Sequence, residues 1–132
     1  MNREAILHIP LSNYAYGTDE THVTFRIRTA RGDIKSCVLY YGDRSCRKTP
    51  VIFTPVAMKI AASDSLFDYY EVELASPYSR ICYYFKLSDG VATCFYYSGG
   101  FHSETTGERS EYYQFPFNRM GERRRCLQYL SG

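Results

Sequence analysis

The chain has no tryptophan, no C-x-x-C pair and no run approaching the ~18 consecutive apolar residues of a membrane span. No basic stretch followed by an apolar one opens it, so no secretory leader is expected and cytoplasmic residence is the expectation. Its five cysteines, Cys37, Cys46, Cys82, Cys94 and Cys126, are odd in number and spaced for neither a disulfide framework nor a zinc site. They read as reduced thiols in or beside strands, acting as small hydrophobes. His8, His22 and His102 are scattered, which argues against a metal centre and against a local Ser/His/Asp arrangement. An acidic calcium loop is also missing, and no cofactor is expected. Before Asn118 no segment keeps a helical period over a useful length, which removes helix bundles from consideration.

Charge in the body of the chain is balanced. The formal net charge is +2, yet 12 basic residues face 13 acidic ones before Asn118. The surplus comes from Arg119, Arg123, Arg124 and Arg125 near the end. A nucleic-acid footprint needs a basic face on the folded domain, so no such partner is expected. Nor is a membrane.

What the chain has is tyrosine: 14 Tyr and 8 Phe in 132 residues. Aromatic enrichment favours strands, and the length is one domain's worth. Short extended segments are expected at Glu4–Ile9, ended by Pro10, and at Tyr14–Tyr16. A strong strand runs from Thr21 to Thr29, with Val23, Phe25 and Ile27 inward and Thr24, Arg26 and Arg28 outward. Arg31-Gly32-Asp33 reads as a tight turn, not as an adhesion motif. Ile34–Tyr41 follows with ambiguous facing, because Val38 and Tyr40 on one side are as apolar as Cys37 and Leu39 on the other. Such a run predicts burial on both faces, or one face covered. Gly42–Pro50 reads as a polar loop, and Val51–Ile60, broken by Pro55, as an edge or bulged strand.

The most regular stretch is Ser63–Leu74. Leu66, Asp68, Tyr70, Val72 and Leu74 fall on one face, with Phe67, Tyr69, Glu71 and Glu73 on the other. Asp68 is the one acid on the core side, and a buried carboxylate must be hydrogen-bonded or wet. Next come Arg80–Leu87, with Ile81, Tyr83, Phe85 and Leu87 alternating, and Val91–Tyr97, joined through a Ser88-Asp89-Gly90 hairpin turn. Ser98-Gly99-Gly100 breaks the chain, and Glu111–Phe117 makes a last strand. The fold class expected is all-β, an immunoglobulin-like antiparallel sandwich of about seven to eight strands.

The acids do not suggest catalysis. Glu71 and Glu73 share one strand face about 6–7 Å apart, with nothing to raise either pKa as an acid catalyst would need. Asp64 and Asp68 are better placed to fix a turn and a strand mouth.

Eight segments, EAILHIP, YAYG, VTFRIRTARGDI, VLYYGDR, SDSLFDYYEVEL, RICYYFKLSDG, YYSGGF and YYQFPFNR, occur in one order. This order resembles the N-terminal domain of cyclomaltodextrinases, neopullulanases and maltogenic amylases, also classed as carbohydrate-binding module family 34. That domain precedes the catalytic barrel of glycoside hydrolase family 13. The resemblance implies a module at residues 1–118 that is not itself the enzyme, carries no catalytic residue, contacts a second subunit in a homo-oligomer and narrows a cleft that takes cyclodextrins and short maltodextrins. Partners implied are the barrel and an α-glucan. Residues 119–132 depart from the family and form a tail, disordered or a short helix, as after truncation or frame disruption.

In the resemblance, the GDR turn followed by an aromatic residue projects toward the partner's cleft. Tyr41, Asp43, Arg44 and Ser45 are therefore the candidate substrate-binding residues, with Ser45 standing where the aromatic usually is. Tyrosines could also stack on sugar rings, and Tyr14, Tyr16, Tyr41, Tyr69, Tyr96 and Tyr97 pattern outward or lie by loops. Two alternatives stay open: a free-standing starch- or glycogen-binding module, and an interaction domain remaining from a truncated gene.

Overall fold

The computed structural model describes residues 1–19, 21–44, 51–75 and 80–116. The tail at 119–132 and Ser45 lie outside the described residues. Ten strands form two antiparallel sheets, with two single 3-10 turns at Arg3–Ala5 and Arg109–Glu111. In chain order the strands are β1 (Ala15–Gly17), β2 (His22–Ala30), β3 (Ser36–Asp43), β4 (Thr54–Ala57), β5 (Lys59–Ser63), β6 (Phe67–Ala75), β7 (Arg80–Ser88), β8 (Thr93–Tyr97), β9 (Gly100–His102) and β10 (Tyr113–Pro116). The first sheet has the order β1-β2-β6-β5. The second runs β4-β3-β7-β8-β9, with β10 also on β7.

The register explains why β7 is so apolar. One edge pairs with β3 along its whole length, while β10 takes residues 80–83 of the other edge and β8 takes 85–88. Ile81, Tyr83, Phe85 and Leu87 point into the space between the sheets, fully buried against Val23, Phe25 and Ile27 of β2. Each such side chain contributes about 1.5–3 kcal/mol through burial. Cys82 and Tyr84, on the opposite face of β7, are also buried, in a second cluster with Tyr97 and Tyr112.

The long β2–β6 pairing is the amphipathic one. Arg26 and Arg28 face outward as expected, but Thr24 is buried, hydrogen-bonded to Thr18. Asp68 sits at the mouth of β6, buried and satisfied: the Ser63 hydroxyl donates at 2.6 Å and the Gly32 amide at 2.8 Å. The Gly32 amide comes from the Arg31-Gly32-Asp33 turn, whose glycine has φ of 71°. Leu66 is not a core residue; it is 67% exposed. The reason is local: Asp64 Oδ1 accepts from the amides of Leu66 and Phe67, so residue 66 belongs to the turn and the strand starts one residue later.

Three further expectations need correction. Glu4–Ile9 is not a strand; only Leu7 bridges to Arg28, although Ile6 and His8 do point inward. Val51–Ile60 is not one edge strand but two. β4 pairs with β3 in the second sheet, buried Met58 turns the chain with its amide on the Cys37 carbonyl, and β5 joins β6 in the first sheet with a bulge between Ile60 and Ala62. Gly42 and Asp43, placed in a loop by composition, continue β3.

Candidate functional site

The candidate residues gather at the end of the second sheet where β3 and β10 finish and β7 starts. Tyr41 pairs across the ladder with Tyr83, Gly42 with Cys82 and Asp43 with Ile81. The Arg44 amide extends the ladder by donating to the Arg80 carbonyl at 3.0 Å. Tyr41 is half-buried against the inter-sheet core and Asp43 and Arg44 are half-buried at the rim.

Gly42 has a steric reason to be glycine. A Cβ there would lie 2.8 Å from the Ile52 carbonyl oxygen and 2.9 Å from Val51 Cγ1. The segment carrying Val51, Ile52 and Phe53 crosses directly over β3 at this point. Phe53 then reaches the second aromatic cluster, edge-on to Tyr84 and Tyr112 with centroids 5.0 and 4.9 Å apart.

Beyond Gly42 an open cleft of about 280 Å³ is lined by Arg44, Arg80, Ile81, Gln114 and Phe115. Arg44 Nε faces no hydrogen-bond partner although it is buried. Unpaired buried donors are rare because desolvation goes uncompensated. Composition alone could not show this cleft, since its five residues come from two strands, β7 and β10, and from Arg44 just past the end of β3.

The thiol beside this site is inert. Burial pushes Cys82 up to about 11, so it is no nucleophile at neutral pH. Burial also raises Cys37 and Cys94. All three are free; Cys37 and Cys94 both pair with Leu87, on opposite edges of β7, which keeps them apart.

The aromatic candidates divide. Tyr97 is fully buried, its hydroxyl accepting from the Thr106 amide, which removes it as an open stacking platform. Tyr96 stacks on Phe101 at 4.6 Å, Tyr69 donates its hydroxyl to Asp64, and Tyr14 is half-buried. Tyr16, 37% exposed, is the most open of the six.

These features can be set beside known proteins. The model of the family described as alpha amylase, N-terminal ig-like domain, matches residues 1–119. The chain belongs to that family. It is 35% identical over 119 residues to a maltogenic alpha-amylase of Bacillus acidopullulyticus, covering 89% of this chain and 20% of that protein. It is 34% identical over 119 residues to a cyclomaltodextrinase of Geobacillus thermopakistaniensis, with the same two shares. A solved cyclomaltodextrinase superposes with a TM-score of 0.82 at 31% identity, over 90% of this chain and 20% of that one. The chain thus spans about a fifth of the length of the relatives it matches.

In this amylase N-terminal domain Asp64 and Asp68 are shifted the wrong way for a general acid. Glu71 is held by Arg26, with Oε2 2.9 Å from Nη2 and 3.0 Å from Nε. Hydrogen bonds from the Leu66 and Phe67 amides depress Asp64, and those from the Ser63 hydroxyl and the Gly32 amide depress Asp68. An acid catalyst needs the opposite shift. Among the described residues no three His, Cys, Asp or Glu side chains cluster as metal ligands, and no helix is long and apolar enough to cross a membrane.

One residue with distinctive chemistry gave no sequence signal. His8 is buried between the sheets, ringed by Tyr83, Phe85 and Tyr113 with centroids 5.4, 4.7 and 4.8 Å away. Its Nδ1 lies 2.7 Å from the Arg26 carbonyl, which only accepts, so that nitrogen carries the proton. Nε2 then accepts from the Tyr83 hydroxyl at 2.7 Å. Burial lowers its pKa to about 4, against the Arg26 hydrogen bond.

Proposed function

We propose that the domain is a noncatalytic accessory module of an enzyme acting on α-glucans. It seats against the catalytic barrel, contributes to subunit contact and shapes the entrance for maltodextrins and cyclodextrins through Tyr41, Asp43, Arg44 and Ser45. The observation that carries the reading is the position of the cleft. Arg44 and the end of β10 at Pro116 share one end of the sandwich, and the family match ends three residues beyond, at 119. About four-fifths of each relative's length lies outside the match, and the family's description as an N-terminal domain supports a continuation from that end. Free buried thiols favour a reducing compartment, hence the cytoplasm.

Glucan capture by the domain alone fits less well. Most of the tyrosines offered for stacking are half-buried, hydrogen-bonded or covered, and there is no tryptophan. Calorimetric titration of the 132-residue chain with maltoheptaose and with β-cyclodextrin tests this. Heats equal to dilution are expected for both sugars. A saturable isotherm with either one would make the chain a glucan-binding module in its own right and overturn the reading.

A further inference from the structure

We propose that the cleft between β3, β7 and β10 is a carboxylate receptor, which seats an Asp or Glu side chain of the polypeptide that follows the domain in its longer relatives. This rests on the accessory-module reading above and names the contact through which the module would be held.

The lining argues for the ligand. Arg44 Nε–H is buried, held in place by the ladder bond from its own amide to Arg80, and has no acceptor. Arg80 and the exposed Gln114 stand on the same wall, and among the described residues no acid lines the cleft. The Arg44 Nε–H, buried and without an acceptor, suits an anion, and a carboxylate matches the guanidinium fork better than any other side chain. Ile81 and Phe115, both buried in the inter-sheet core, close the bottom of the cleft. A pyranose would need an open aromatic face, and Phe115 is only 5% exposed.

Placement argues for the source. The cleft opens at the end where β10 stops at Pro116, and the relatives continue for about four-fifths of their length outside the match. Polypeptide continuing from β10 would start beside this opening.

The test uses the ¹⁵N-labelled 132-residue chain with glutarate as probe, at constant ionic strength, following the Arg44 Nε–Hε and Gln114 side-chain signals. Both should shift saturably with one-to-one stoichiometry. Arg44→Lys should abolish the response, and Arg80→Gln should weaken it about tenfold. The backbone spectrum shows whether each variant is folded, and Arg80→Gln keeps the test open if Arg44→Lys is not. Shifts that grow linearly, or that sodium chloride reproduces, would overturn the receptor. Tighter binding of inorganic phosphate than of glutarate would overturn its assignment to carboxylate. Failure here leaves the glucan calorimetry untouched, and a glucan isotherm would sink the accessory reading without altering the anion titration.

Discussion

On the outer face of the first sheet Arg26 pairs with Glu71 and Arg28 lies over the Phe67 ring at 4.1 Å, whereas on the outer face of the second Tyr84 is stacked between Tyr40 and Tyr97. The first surface meets water with ion pairs. The second is closed over by Phe53 and by Tyr112, whose hydroxyl donates to the Thr106 carbonyl. A two-sheet sandwich needs only one buried space. This domain builds a second, smaller one outside β7, and the candidate cleft opens at its margin, where Gly42 lets the covering segment cross.

The largest effect should come from the shared core. Phe25→Ala empties a fully buried site beside Tyr83 and is expected to cost about 3–5 kcal/mol in denaturant unfolding. Tyr84→Ala in the outer cluster should cost less, because Tyr84 keeps 7% exposure and its cover can settle inward. Equal losses would mean that the outer cluster is a core of the same rank.

Next in size is the pH dependence carried by His8. Its folded pKa of about 4 lies below the ordinary histidine value of 6.5, so the unfolded chain binds the extra proton between those values. Stability from this site is complete above about pH 6.5 and falls by roughly 3 kcal/mol as pH drops toward 4. Depressed carboxylates such as Asp19 and Asp89, both near 2, act at lower pH, as acidity passes the ordinary carboxylate value. His8→Gln preserves an acceptor for Tyr83 and should flatten the upper window alone. An unchanged slope between pH 6.5 and 4 would place the titration elsewhere.

Gly42→Ala probes the join between β3 and its cover. The added methyl must push the Ile52 backbone aside, and about 1–3 kcal/mol of destabilisation is expected. Near-wild-type stability by thermal unfolding would show that the crossing gives way easily. Smallest of all, Glu71→Gln should change stability by less than about 1 kcal/mol, since it removes one half-exposed ion pair. A larger loss would make the first sheet's outer face more than a solvated one.

The same contrast governs how far the sequence could be read. Val23, Phe25 and Ile27 alternate cleanly with arginines, and Tyr70, Val72 and Leu74 with glutamates, so β2 and β6 and their facing were legible. β3 was ambiguous for a physical reason: Cys37 and Leu39 fill one core while Tyr40 joins the other cluster, and periodicity cannot separate two buried faces. The switch of sheets at Met58 left no mark because its neighbours look alike in either sheet. His8 was opaque since a single histidine on an alternating segment carries no sign of Arg26 or Tyr83, brought to it from 18 and 75 residues away. Of the candidate site, Gly42, Asp43 and Arg44 were singled out through the family resemblance, but Gly42 and Asp43 lie in β3 and not in a turn. The cleft was not, because Arg80 and Gln114 reach it only through strand pairing.

The proposed role of this sandwich is to shape another domain's cleft. Exchanging it for the matching N-terminal residues of the Geobacillus cyclomaltodextrinase, and comparing kcat/KM for β-cyclodextrin with that for soluble starch, tests it most directly. The chimera is expected to keep the parent's ratio between the two substrates, and Ser45→Tyr in the chimera to lower the KM for β-cyclodextrin. A chimera whose preference matches that of the parent lacking its N-terminal domain would contradict it.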